Sequence, residues 1–269
     1  MFAFAVPVKT ACQRLIFGTA ETGFFCNLWV IVTMESHYKT FNVTSFREYQ
    51  DIILDIPTDE FILYRGQPYD KPLLPKLARF NLEEPEKVER EMLEDFKRRS
   101  LHLIEHYPAS SWDWLALAQH HGMATRLLDW SENPLNALWF SMIEKQEVKG
   151  TEYSVVWGFN VPKKDIINST ENKDPFKVGG TKVFKPNHIT KRISAQFGWF
   201  TVHQQGSDDR FMAFEKNENY SKRLFKIKVQ SECFRECKKR LHHYGINSAT
   251  MYPDIDGLAK YVEWLFLGQ

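Results

Sequence analysis

The sequence predicts an α+β fold: one domain with a mixed or antiparallel sheet at its core, helices early in the chain and again at its C-terminal end. Three observations lead there. Up to about residue 145 apolar residues recur mostly at helical spacing, and they do so again after residue 231. After Gly150 the periodicity changes, and the apolar segments become short and strand-like. No internal repeat and no low-complexity linker divides the chain.

Composition sets bounds on class. The 269 residues are enough for one large domain or a domain with a small appendage. An apolar fraction of 43% and an aromatic fraction of 14% support a sizeable core and argue against disorder. A formal net charge of +1 gives no global pull toward nucleic acid or membrane, and leaves room for a local basic patch. Four cysteines (Cys12, Cys26, Cys233 and Cys237) do not make a disulfide framework, so a reducing, cytoplasmic setting is expected. The longest apolar run, Phe24 to Met34, is interrupted by Asn27 and falls short of the ~20 residues that cross a bilayer. The first residues lack a signal peptide's basic start and small-residue cleavage site, so no membrane partner is expected.

Residues 1–33 are apolar and sparsely charged, and a polar, charged sequence begins at Met34. Two readings stand. In one, Met34 is the true start and residues 1–33 are an upstream extension to a domain of residues 34–269. In the other, the segment is an added strand or hairpin that docks on the domain.

The elements follow in order. Ser45 to Leu54 reads as a helix with Phe46, Tyr49, Ile53 and Leu54 on one face. Phe61 to Tyr64 reads as a short buried strand that delivers Arg65 and Gly66 at its end. Pro68, Pro72 and Pro75 then forbid regular helix, and a loop is expected. Glu84 to Glu105 is a long helix with Val88, Met92, Phe96 and Leu103 near helical spacing. Trp112 to His120 is a second, and Gly122 is placed to end it. Thr125 to Trp130 is a strand or extended turn. Asn133 and Pro134 supply an N-cap and a first-turn proline to a helix carrying Leu135, Leu138, Trp139, Met142 and Ile143. Beyond Gly150, Tyr153 to Val161, Val183-Phe184, Arg192 to Val202 and Leu224 to Val229 read as strands. Lys163 to Gly180 reads as a loop and Gly206 to Arg210 as a turn. Glu232 to Tyr244 and Leu258 to Leu267 close the chain as helices, with a turn at Tyr252-Pro253-Asp254.

Polar specificity is densest between Gln119 and Ser141. Arg65, at a strand end beside Gly66, has the geometry to fork onto two oxygens of a phosphate or carboxylate; a structural ion pair is the alternative. Gly66 allows a ligand to approach the backbone closely. His120 and His121 point apart at a helix end, so at most one faces a site, and capping or burial explains them equally well. In an extended segment Thr125, Leu127 and Asp129 share one face, and Arg126, Leu128 and Trp130 the other, so Arg126 pairs elsewhere. Asp129 can accept a hydroxyl proton, orient Arg65, or cap the helix near Asn133. Arg192, Ser194, Gln196 and Gly198 share one face if their segment is a strand, which points to a polar cleft. Cys233 and Cys237, with His242 and His243 on the same helix, do not have a standard zinc spacing; helix packing is the expectation, and no metal site is assigned. Lys222, Arg223, Lys226 and Lys228, then Lys238, Lys239 and Arg240, form either a solvated basic face or one that meets RNA.

Five spaced motifs together make residues 60 to 260 resemble the FRG family, named for an aromatic-Arg-Gly motif. They are Tyr64-Arg65-Gly66-Gln67; Leu73-Leu74-Pro75; the run from Gln119 to Ser141; Arg192 with Gln196, Gly198 and Phe200; and Tyr252-Pro253-Asp254 with Gly257. The chain departs at Met123-Ala124, where the family carries a proline. The Tyr-Arg start is also similar to the first strand of arginine-type ADP-ribosyltransferases, including toxin and antiviral-defence enzymes. That resemblance implies an ADP-ribosyltransferase-like fold and NAD+ cleaved at its nicotinamide–ribose bond. The ADP-ribose would pass to a protein or RNA acceptor, and a neutralising antitoxin or chaperone would be in keeping with such a toxin. It implies a cofactor-binding set of Tyr64, Arg65, Gly66, Gln67, Thr125, Arg126, Trp130 and Phe200. Within it Arg65 would hold the diphosphate, Thr125 the ribose, and Trp130 or Phe200 the nicotinamide. The late strand offers Gln196 where those enzymes carry a glutamate. Gln196 can bind a hydroxyl but cannot act as a base, so Asp129 or His121 would complete the catalytic set. A non-catalytic nucleotide- or RNA-binding module, and a nucleotide hydrolase, are the alternatives.

Overall fold

The computed structural model describes the backbone of residues 31–35 and residues 38–57, 59–143, 153–167, 174–187, 195–196, 198–206 and 210–268. The strands are β1 (Ile31–Glu35), β2 (Tyr38–Val43), β3 (Ile62–Gln67), β4 (Leu127–Ser131), β5 (Tyr153–Asn160), β6 (Lys182–Phe184), β7 (Gly198–Val202) and β8 (Leu224–Gln230). The helices are α1 (Phe46–Leu54), α2 (Pro85–Ser100), α3 (Ser111–His120), α4 (Pro134–Ser141), α5 (Phe234–His243), α6 (Ser248–Met251) and α7 (Ile255–Leu267). The strands form one sheet in the order β1-β2-β8-β5-β3-β4-β7-β6. Only β2 and β8 run parallel, so the sheet is mixed and the α+β class holds. Among the described residues no helix is long and apolar enough to cross a membrane.

The helices start where short polar side chains can satisfy free amides. Ser45 accepts from Glu48 N at 3.2 Å, Ser110 from Asp113 N at 3.1 Å, Asn133 from Leu135 N at 2.9 Å and Asp254 from Gly257 N at 2.7 Å. Gly122 follows α3 with φ of 85°, a left-handed turn that suits glycine.

The sheet is buried on both faces. One face carries the helices. Phe46 and Tyr49 of α1, Leu138 of α4 and Leu241 of α5 pack on Tyr64, Val156 and Ile227. On the same face, but beyond β4, Trp112 and Leu115 of α3 and Leu93 of α2 pack on Leu127, Phe200 and Val202. The opposite face holds an aromatic core of Trp130, Trp157, Phe159, Phe214 and Tyr220.

Several expectations are corrected by packing. α2 ends at Ser100 rather than Glu105, and its buried residues are Pro85, Glu89, Leu93 and Ser100, while Leu103 is exposed. The helix is rotated because Glu89 turns inward to an ion pair. α1 buries Ile52 and leaves Leu54 exposed. α4 presents Ala137 and Ser141 to the sheet, and Ile143 is exposed. Of the segment read as a strand from Arg192 to Val202, Gly198–Val202 is a strand and Gln196 sits in a turn; Arg192 and Ser194 lie outside the described residues. Tyr38–Val43 is a strand that the sequence did not announce. β1 spans the boundary expected after residue 33; residues 1–30, where the rest of that question falls, lie outside the described residues.

Gly66 is required by α4, not by a ligand. A Cβ there would overlap the carbonyl oxygen of Ala137 and stand 2.6 Å from the amide nitrogen of Ser141. Helix backbone lies directly on strand backbone, and neither side has a flexible atom to give way. Gly66→Ala is expected to lower the unfolding free energy by about 1–3 kcal/mol or more, read from the urea midpoint. A midpoint unchanged within error would show that α4 can lift from β3.

Candidate functional site

The sheet is not evenly knit. β3 pairs with β5 along all of Ile62–Gln67, but meets β4 at a single register pair, Tyr64 with Ser131. Beyond that pair the two strands separate. A cleft of about 250 Å³ lies over the opening, between α3 and α4. Its walls include Arg65, Gln119, His120, Asp129, Phe140 and Gln196.

Arg65 bridges the gap. By strand alternation it begins on the face of Leu63 and Gln67, whereas Asp129 begins on the face of Leu127. Because the seam is open they meet. Arg65 Nη1 donates to the Asp129 carbonyl oxygen at 2.6 Å and stands 3.4 Å from Asp129 Oδ2. Burial lowers the Arg65 pKa from its ordinary value, the Asp129 charge opposes that, and Arg79 adds to it. Arginine stays charged in any case. Arg65 Nε is buried and makes no hydrogen bond. An unmet buried donor costs about 1–3 kcal/mol.

Asp129 is half-exposed, with 55% of its side chain accessible, and is the one carboxylate on the described walls. A relay holds it. Leu127 N donates to Thr125 Oγ1 at 3.2 Å, Thr125 Oγ1 donates to Gln119 Oε1 at 2.5 Å, and Gln119 Nε2 donates to Asp129 Oδ2 at 3.1 Å. The chain of donors fixes which way the Gln119 amide faces. Gln119 was not among the residues singled out from sequence. Its signal was there only in retrospect: a polar residue on the last turn of α3, just ahead of the Thr-Arg pair.

The other expected residues divide. Tyr64, Arg65, Gly66, Asp129, Trp130, Gln196 and Phe200 line the cleft. Gln196 Nε2 donates to Met251 O at 3.1 Å, and its own carbonyl accepts from Ser131 Oγ at 2.8 Å. Thr125 lies behind the wall and reaches it only through Gln119. His121 is an exposed C-cap of α3, and His120 is the imidazole that lines the cleft. Gln67 faces the opposite core, where its Oε1 accepts from Trp157 Nε1 at 3.0 Å. Arg126 is fully buried away from the cleft. Its Nε donates to Glu89 Oε2 at 2.7 Å, and its guanidinium lies 4.4 Å from the Phe176 ring centre. Trp130 and Phe200 present little ring. Trp130 packs on Phe159 and Phe214, and Phe200 stacks on Phe184 at 5.4 Å. The half-buried aromatic wall is Phe140, which the sequence reading missed. Cys233 and Cys237 are buried in helix packing, as expected.

Beneath the seam sits a buried imidazole. Trp130 Nε1 donates to Thr201 Oγ1 at 2.9 Å, and the Thr201 hydroxyl shares a hydrogen bond with His203 Nε2 at 2.8 Å. Burial, with repulsion from Arg65, pushes the His203 pKa down to about 3. A base whose folded value is depressed adds stability above its unfolded pKa, near 6.5, and loses it as pH falls toward 3. The slope is about 1.4 kcal/mol per pH unit. Urea unfolding at pH 6.5 and 4.5 should therefore show a loss about 2–3 kcal/mol larger in the wild type than in His203→Gln. Equal losses would mean that His203 is not held neutral.

Residues 60–150 match the family model described as the FRG domain. No curated protein and no solved structure matches the chain. The matched stretch contains Arg65, Gly66, Gln119, His120, Asp129 and Phe140, which form most of the cleft and its helical support. By that match, and by the motif that ends β3, this chain carries an FRG domain.

Proposed function

We propose that the cleft binds the nicotinamide–ribose end of NAD+ and that the protein is an ADP-ribosyltransferase-like enzyme of the toxin and defence type. The observation that carries this reading is the convergence of Arg65, Asp129 and Gln196, from three separate segments, on one cleft. Arg65 offers a guanidinium on the cleft wall, a group suited to a phosphate oxygen. Gln119, His120 and Gln196 offer hydrogen-bonding groups for ribose hydroxyls, and Phe140 offers an aromatic wall for the nicotinamide. At about 250 Å³ the cleft is below the ~300–1,000 Å³ of a whole ligand pocket, so the adenosine half would lie outside it.

The chemistry such a substrate supplies is a glycosidic bond whose cleavage leaves positive charge on the ribose. Asp129 is placed to stabilise that charge with its carboxylate, held in orientation by Gln119 and Arg65. A protein or RNA hydroxyl or amine would then be the acceptor, with Asp129 taking its proton.

A second reading rests on the same carboxylate. Asp129 is already engaged by Arg65 and Gln119, and the resemblance implies a glutamine, Gln196, where those transferases carry a glutamate. That favours a module that binds a nucleotide or RNA without turning it over.

Labelled NAD+ incubated with the protein and a cell lysate separates the readings. The transferase reading expects nicotinamide release and label on a macromolecule; release without label transfer indicates a hydrolase. Arg65→Ala should weaken binding about 10–100-fold, the worth of one charge-assisted hydrogen bond. Asp129→Asn should keep binding within a few-fold and slow turnover about 10²–10⁴-fold. Tight binding with no nicotinamide released by the wild type would leave the binding module.

A further inference from the structure

Leu73-Leu74-Pro75 leads into a single 3-10 turn, Leu77–Arg79. The turn is firmly seated. Leu73 and Leu77 are buried, Leu73 N donates to Glu215 Oε2 at 3.0 Å, and Leu77 N donates to Thr125 O at 3.2 Å. Lys76 has helical dihedrals at the start of the turn and lies three residues before Arg79. Residues i and i+3 of such a turn eclipse one another, so these two cations project the same way.

Both stand beside the mouth of the cleft. Lys76 Nζ donates to Gly122 O at 2.7 Å, just past the end of α3, whose last residues Gln119 and His120 line the cleft. Arg79 spends one of its five N–H donors on Leu74 O, at 3.2 Å. Its charge is close enough to be felt at Arg65, whose pKa it helps to lower. Lys76 and Arg79 are exposed, and among the described residues neither forms an ion pair. By contrast Arg90, Arg98 and Arg99 of α2 each meet a carboxylate, at 2.9, 2.7 and 2.6 Å. Three cations thus gather at one end of the cleft against a single carboxylate, Asp129, and the excess positive charge draws an anion.

We propose that Arg79, with Lys76 beside it, binds the diphosphate of the nucleotide, so that the ligand leaves the cleft past Arg65 and over the turn from Lys76 to Arg79. The identity of the ligand rests on the reading that the cleft takes the nicotinamide–ribose end of NAD+. Arg65 alone does not carry a diphosphate. Its side chain is 16% accessible, and its Nη1 is already on Asp129. Inside the cleft a diphosphate would also lie against the Asp129 carboxylate; on the turn it lies clear of it. A guanidinium there can fork onto two phosphate oxygens. The Leu73-Leu74-Pro75 motif then has a part at the site. It seats the turn and, through Leu74 O, holds the Arg79 guanidinium.

Isothermal titration calorimetry of the full chain with NAD+, nicotinamide riboside (which has no phosphate) and inorganic pyrophosphate tests this. Arg79→Gln keeps a donor for Leu74 O and removes the charge; its melting temperature verifies the fold. It should weaken NAD+ and pyrophosphate about 10-fold, the worth of one charge-assisted hydrogen bond at an exposed site, and leave nicotinamide riboside within about two-fold. Arg79→Lys should recover part of the loss. Should Arg79→Gln not fold, Lys76→Gln takes its place, with a loss of about 3-fold expected. A wild type that binds NAD+ no better than Arg79→Gln overturns the assignment and leaves the proposed substrate standing. Equal weakening of all three ligands overturns it too, because a phosphate contact cannot act on the riboside. Arg79-dependent binding of pyrophosphate, with no binding of NAD+ or the riboside, supports the anion site and removes the nicotinamide reading. A wild type that binds none of the three overturns both.

Discussion

A sheet that parts between β3 and β4, with one arginine spanning the gap, is the constraint on which the rest of the molecule depends. Backbone groups along a strand edge need partners. Where β4 moves away from β3, the Asp129 carbonyl finds the Arg65 guanidinium instead of a backbone amide. The same guanidinium reaches the Asp129 carboxylate, so one side chain both closes the ladder and sets the charge of the cleft. It is buried enough for its charge to be felt by His203 on the far side of the sheet, which stays neutral partly for that reason. The opening thus joins fold and site: a continuous ladder at this point would leave neither cleft nor exposed carboxylate.

The strands on each side of the gap are held by different devices. β3 is pinned by α4, whose backbone rests on Gly66. β4 is pinned by Arg126, whose backbone N–H and Nε both donate to the carboxylate of Glu89 at 2.7 Å. Burial raises the Glu89 pKa, opposed by Arg126, so each charge is tolerable only because the other is present. A buried pair of this kind contributes registry more than net stability: it fixes α2 and β4 in one mutual position. The Thr-Arg pair therefore serves placement on both counts, since Thr125 orients Gln119 and Arg126 anchors the strand.

The C-terminal motif has a comparable explanation. Asp254 caps α7 through Gly257 N, and Gly257 has no room for a side chain because the Tyr252 and Ser248 carbonyls lie against it. The turn is thereby fixed, and with it Tyr252, which packs on Trp139 and Phe140. Met251 O holds Gln196 from the same unit. A segment far from residues 60–150 in sequence thus backs two residues of the cleft wall, Gln196 and Phe140.

By itself the sequence determined most of the helices and several strands, because caps and apolar periodicity are local. Ser45, Asn133-Pro134 and Gly122 act within a few residues, and so does the alternation of Leu224 to Val229. It also marked Arg65, Asp129 and Gln196 by their unusual surroundings. Tertiary structure decided which of the marked residues face the cleft. Gln67, Arg126 and Trp130 carry the same polar or aromatic signature as their neighbours, yet Gln67 and Arg126 side chains and the Trp130 ring serve the interior. The choice depends on where the sheet opens and on partners as distant as Glu89, Trp157 and Thr201. It likewise decided that Gly66 accommodates a helix and that β2 joins the sheet beside β8. Such outcomes follow from burial and long-range pairing, which local spacing does not encode.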